Sequence, residues 1–271
     1  MLTAARRGAG RLGARRGPLV RFVRGRLTDE GGFADRHGRG DLYYTVFGAE
    51  CLRACGERVP AAVGEYVRRF GPGDGLDLVH LACVVRLRTA AGDVNDALRD
   101  ELLGRLRNCP APGVYAAFLA LAAAQDLGAP PPDADKIVAA VQACRTPDGG
   151  YANLPGIPLA MTPTTAAAAI VLAALGRAVE PAAVNWLAGR RCDGGGYAVA
   201  DGAAEAELLS TAVALHALAV AGAPPADDPA TGAFVQSLQC DGGGFRGHRP
   251  ADEADCEYTF YGLLALGSLP A

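Results

Sequence analysis

The chain has 271 residues, half of them hydrophobic, and a formal net charge of −3. That is enough apolar material for one large core or two small ones, and the near-neutral balance argues against a nucleic-acid binder. No run of 18 apolar residues free of charge appears, so no membrane span is expected.

The first 26 residues carry eight Arg and no acid. Residues 1–15 are expected to form a basic tail, because 19–33 already shares the layout of 233–245 and so belongs to the fold. A single domain over 16–271 follows. No secretory signal is legible, so a cytoplasmic location and reduced thiols are expected for the eight cysteines. They form no CxxC pair. Cys144, Cys192 and Cys240 instead recur just before glycine turns, as small apolar packing residues.

Beyond the tail, two kinds of helix alternate. Helices with one apolar stripe are predicted near 12–27, 58–70, 94–107, 134–145, 180–190 and 228–239. Helices apolar on nearly every side, which must be covered all round, are predicted near 41–56, 76–91, 113–127, 163–176, 206–221 and 255–269. Glycine-rich turns end the striped helices, and strand-like alternation is absent.

The pattern is a repeat. Tyr151, Tyr197 and Phe245 are spaced 46 and 48 residues apart, and Thr165, Thr211 and Thr259 keep the same intervals. Phe33 and Thr45 give a further copy, and 71–92 and 109–128 fill the gap as two worn ones. The expected fold is all-α, an (α/α)6 toroid of six helical hairpins. On closure, 255–269 packs beside 41–56 and the N-terminal helix covers the seam, so neither end needs a polar cap. An open superhelical solenoid is the alternative.

The Gly-Gly-aromatic turns together with "YTFYGLLALGSL" (258–269) resemble the β subunits of protein prenyltransferases. More distantly they resemble the squalene and diterpene cyclases that share the toroid. The resemblance implies an apolar funnel for an isoprenoid tail, basic residues and a Tyr for its diphosphate, and a zinc ion held by Asp, Cys and His. Residue by residue, Arg36 and Arg39 stand at the diphosphate-binding positions with Tyr44. Asp41 and His80 match the zinc Asp and His, and Tyr43 occupies the Cys position. The family's diphosphate-binding His falls at Asp255. In a second register Asp255 and Glu257 replace the Asp-Cys pair, a hard oxygen set suited to magnesium.

Plainer readings stand beside these. Asp41 and Asp255 each open an apolar helix, where an acid caps free N–H groups. Tyr44 and Tyr258 fit aromatic packing, and His80 and His216 fit hydrogen-bonded core histidines. The loss of the Cys leaves Asp41 and His80 short of the three protein ligands usual for catalytic zinc.

The resulting expectation is a prenyltransferase β-subunit-like protein that binds a farnesyl or geranylgeranyl diphosphate and transfers the isoprenoid. Asp41, Tyr44 and Asp255 are its catalytic candidates, zinc its cofactor with magnesium as the alternative, and a helical α subunit or acceptor protein its partner. A non-catalytic toroid that binds an isoprenoid or a protein is the main competitor, since aromatics make up only 6% of the chain. A class II terpene cyclase ranks third. It would place a carboxyl of raised pKa in a dry cavity, with Asp255 as the residue to inspect.

Overall fold

The computed structural model describes residues 1–109, 112–131, 133–225, 229–249 and 253–270. In chain order its helices are α1 Leu2–Arg11, α2 Arg16–Gly25, α3 Leu42–Ala54, α4 Ala61–Arg68, α5 Leu78–Ala90, α6 Asp96–Asn108, α7 Val114–Asp126, α8 Ala134–Gln142, α9 Thr162–Ala174, α10 Pro181–Ala188, α11 Leu208–Val220, α12 Pro229–Ser237 and α13 Cys256–Ser268. Six of them, α3, α5, α7, α9, α11 and α13, are 13 residues each, about 20 Å of helix. Each packs on the next, and α13 returns to pack on α3. The ring is closed, as expected for a toroid.

A recurring lock explains the threonine marker. Phe33, Tyr151, Tyr197 and Phe245 each donate a backbone N–H to a buried threonine hydroxyl: Thr45, Thr165, Thr211 and Thr259 respectively, at 2.8–3.1 Å. Three of these hydroxyls also donate back, Thr45 to the Asp41 carbonyl, Thr211 to Glu207 and Thr259 to Asp255. A buried aromatic turn is thereby tied to the first turn of an inner helix with no polar group left over. The worn repeats around α5 and α7 carry no such threonine.

Outer closure uses the turns. A Cβ on Gly195 would stand 2.2 Å from the carbonyl oxygen of Ala230 in α12, and one on Gly243 would stand 2.3 Å from Pro18 of α2. The following glycine packs on an aromatic ring in both cases, Gly196 on Phe234 and Gly244 on Phe22. The contact that joins neighbouring repeats thus also joins the last to the first, and α2 covers the seam.

Two features depart from the sequence reading. Among the described residues the turns contain two antiparallel pairs of two-residue strands, β1 Phe33–Ala34 with β2 Gly40–Asp41 and β3 Tyr197–Ala198 with β4 Ala206–Glu207. They are too short to show alternation. More consequentially, residues 1–15 are not a tail. Helix α1 lies along α13 and α3 with Ala4, Ala5 and Ala9 buried. Gly8 and Gly267 let the two backbones touch, since a Cβ on Gly267 would lie 1.7 Å from the Ala4 carbonyl oxygen. Arg7 and Arg11 donate to the carbonyls of Gly267 and Leu266, satisfying the end of α13. Two of the arginines that suggest a solvated arm, Arg7 and Arg11, are therefore C-terminal capping groups. Met1 reaches the central cavity.

Candidate functional site

The six inner helices enclose a cavity with two adjoining lobes, of about 100 Å³ and about 360 Å³. The larger lobe alone reaches the range of ~300–1,000 Å³ usual for small-molecule sites. Its wall follows from helix register. Counting from the residue that caps each inner helix, the second position supplies Tyr43, Val79, Tyr115, Pro163 and Leu209 to the wall and the ninth supplies Glu50 and Arg86, while Glu257 and His216 hold the corresponding positions of α13 and α11. Seven residues of helix separate the two layers by about 10 Å. Between them lie Phe47, Phe118, Phe260 and Tyr261. With Tyr43 and Tyr115, six of the chain's aromatic side chains line one cavity, although its overall aromatic content is low.

Glu257 is the distinctive group of the upper layer. It is 9% exposed, and Tyr43 Oη donates to its Oε1 at 2.6 Å across the α3–α13 seam. Burial pushes its carboxyl above the ordinary glutamate range; the nearby Asp255 adds to the rise and the Tyr43 hydrogen bond opposes it. Burial likewise pushes the phenols of Tyr43 and Tyr261 up, so both stay neutral hydrogen-bond donors.

The other anticipated residues sit at the rim. Asp41 caps α3, accepting from Tyr44 N at 2.9 Å. Asp255 caps α13 through Tyr258 N at 2.7 Å, and its second oxygen takes Arg36 Nε at 3.0 Å. Arg36 also lies over the Tyr258 ring, 5.2 Å from its centre. Arg39 pairs with Asp35 at 3.4 Å on an exposed turn. Tyr44 stacks edge-on to Tyr43, and burial pushes its phenol up to about 12. His80 Nδ1 lies 2.8 Å from Asp77, the cap of its own helix. His216 is on α11, where burial and nearby positive charge pull its imidazole down to about 4.

These residues do not fit the expected metal. Among the described residues no group of three or more His, Cys, Asp or Glu could hold an ion. Asp41 is engaged as a cap and His80 by Asp77, while Tyr43, at the Cys position, would need to lose a proton that burial holds tightly. The Asp255 and Glu257 carboxylates meet Arg36 and Tyr43 instead of converging. The cap reading of Asp41 and Asp255 describes the hydrogen bonds that both make.

Residues 111–270 match the family model of the prenyltransferase alpha-alpha toroid domain. The chain belongs to this toroid family. By sequence, no curated protein matches. Among solved structures it is similar to the type II terpene cyclase MstE from Scytonema in its apo form, with 16% identity, a TM-score of 0.62, and 96% of this chain and 97% of that one covered. A point variant of MstE in complex with geranylgeranyl dihydroxybenzoate (substrate) matches with 15% identity, the same score and the same coverage. Another variant, in complex with merosterolic acid A (product), has the same identity and score and covers 96% of each chain. Identities this low establish the shared fold. The broad toroid superfamily is thus shown, while the solved neighbours named here are terpene cyclases and not protein prenyltransferase β subunits. Among the described residues of this toroid, no helix is long and apolar enough to cross a membrane.

Proposed function

We propose that this toroid binds an isoprenoid in its central cavity and starts its cyclisation by protonating a double bond from Glu257. The observation that carries the reading is a buried carboxyl, raised by desolvation and hydrogen-bonded to Tyr43, whose ring lines a cavity walled by tyrosine and phenylalanine. Apolar burial holds the chain at roughly 0.8 kcal/mol per methylene. The Glu257 O–H bond breaks and a C–H bond forms at the less substituted alkene carbon, leaving a tertiary cation. The next alkene's electron pair closes a ring on that cation, and the last cation returns a proton to a base. The net change is an isomerisation without redox. Tyr43 stabilises the carboxylate left behind, because charge-assisted hydrogen bonds are stronger than neutral ones. The aromatic wall stabilises the passing positive charge through its ring faces. The similar fold of a type II terpene cyclase that takes a geranylgeranyl-bearing substrate supports the choice of reaction.

The transferase reading asks for more. Arg36 would have to exchange Asp255 for a diphosphate, and the metal centre that activates the acceptor lacks a third ligand beside Asp41 and His80. The test is incubation with geranylgeranyl compounds and mass-spectrometric analysis of the products. A cyclic isomer of unchanged mass is expected from the native chain and none from Glu257→Gln, which keeps ligand binding. Conversion by Glu257→Gln at the native rate would overturn the assignment, and release of diphosphate with transfer to a thiol would restore the transferase.

A further inference from the structure

The base of the cavity poses a question that the protonation site does not answer: an apolar funnel has a guanidinium in its wall. Arg86, nine residues after the cap of α5, lines the smaller lobe beside Asp126, which ends α7. Its Nε donates to Asp126 Oδ2 at 2.9 Å. Among the described residues neither terminal nitrogen of Arg86 has an acceptor, so the outer edge of the fork is unpaired. The two side chains are 34% and 29% exposed. A pair this open adds little to stability, so tying α5 to α7 does not explain its place.

We propose that Arg86 is the seat for an anionic head group on the isoprenoid, which fixes the chain with its far end toward Glu257. The inference rests on the isoprenoid reading above and adds the substrate's chemical class and direction. A guanidinium with one edge on Asp126 presents the other in the planar geometry that receives two oxygens of a carboxylate or phosphate. Among the described residues no acid other than Asp126 is bonded to it. Glu50, on the same layer, is held by Arg53, and Arg7 and the neutral His216 leave the base without excess negative charge. Cys83, Leu119 and Ala122 give the same lobe an apolar lining beside the guanidinium. The layer spacing of about 10 Å then sets how much chain lies between head and acid. Arg86 is a binding and positioning residue and takes no part in proton transfer.

Calorimetric titration of the full chain carrying Glu257→Gln, which binds without turnover, tests this. The probes are geranylgeranyl diphosphate, geranylgeranoic acid and geranylgeraniol. Both anions should bind about tenfold or more tightly than the alcohol, the scale of one charge-assisted hydrogen bond. Whichever anion gains more identifies the head group. Arg86→Gln should abolish the preference and leave alcohol binding intact, whereas Asp126→Asn and Arg36→Gln should retain it. Equal affinity for alcohol and anions before any change at Arg86 would overturn the proposal, a comparison that no misfolded variant can obscure. So would an equal loss for all three ligands in Arg86→Gln, or a preference that disappears with Arg36. If none of the three ligands binds, the isoprenoid reading itself falls.

Discussion

Two carboxylates stand two residues apart at the start of α13, one on the rim and one in the layer beneath, and their surroundings give them different work. Asp255, itself buried, has extended backbone, caps the helix and holds Arg36. Glu257 is already helical and meets Tyr43, which lines the cavity. The caps Asp41, Asp77 and Glu207 follow the pattern of Asp255, each accepting from the first turn of its own helix. Helix register therefore separates the capping acids from the acid proposed to donate the proton more sharply than sequence proximity does. Glu257→Gln and Asp255→Ala divide the two roles. The first should lower turnover by about a hundredfold or more, the low end of general-acid contributions, with ligand affinity retained. The second should cost about 1 kcal/mol of stability, the usual loss for a missing N-cap, and leave turnover within a few-fold. Product assays and denaturant melts on both variants check this. A larger loss of turnover in Asp255→Ala than in Glu257→Gln would reverse the assignment.

Much of this contrast was legible in the sequence. The alternation of striped and all-apolar helices, the 46- and 48-residue intervals and the recurring threonines specify the ring. The equivalence of Tyr43 and Glu257, each two residues after an acidic cap, was also visible. That the two meet across the seam was not, because contact between the first and last inner helices exists only once the ring closes. Composition misled in two places. An average of 6% aromatics hides their concentration around one cavity. In α1, the contact surface is Ala4, Ala5, Gly8 and Ala9, small residues that pack backbone to backbone and carry almost no hydrophobic signal. Their spacing at i, i+1, i+4 and i+5 was the available clue.

The same pair of acids makes a prediction in pH. Glu257 binds its proton more tightly in the folded chain than an ordinary glutamate does, whose pKa is about 4.3. Between that value and its raised value the folded state holds more protons than the unfolded state, so stability from this group falls as pH rises through the window. It is fully present below the unfolded value. Turnover needs the protonated acid and should fall over the upper part of the same window. Melts of native protein and Glu257→Gln across pH 4 to 8 should show the difference moving in favour of Gln as pH rises. A difference constant with pH would contradict the buried acid.

The smallest effect should come from Tyr43→Phe, and it separates support of the acid from mere packing. The ring packs edge-on to Phe47 at 4.9 Å, a contact that Phe can keep, so ligand affinity and melting temperature should change little. What disappears is the donor to Glu257 Oε1. That hydrogen bond pulls the carboxyl's pKa down against the rise caused by burial, so removing it should push the pKa higher and weaken the acid. Turnover should fall about tenfold, the equivalent of one lost charge-assisted hydrogen bond in the transition state. The descending limb of the pH–rate profile should move to higher pH at the same time, because the proton now leaves less readily. A structural role for Tyr43 would lower the rate without moving the limb. A limb displaced toward lower pH would mean that the phenol opposes ionisation of Glu257, which contradicts a donor placed 2.6 Å from its carboxylate oxygen.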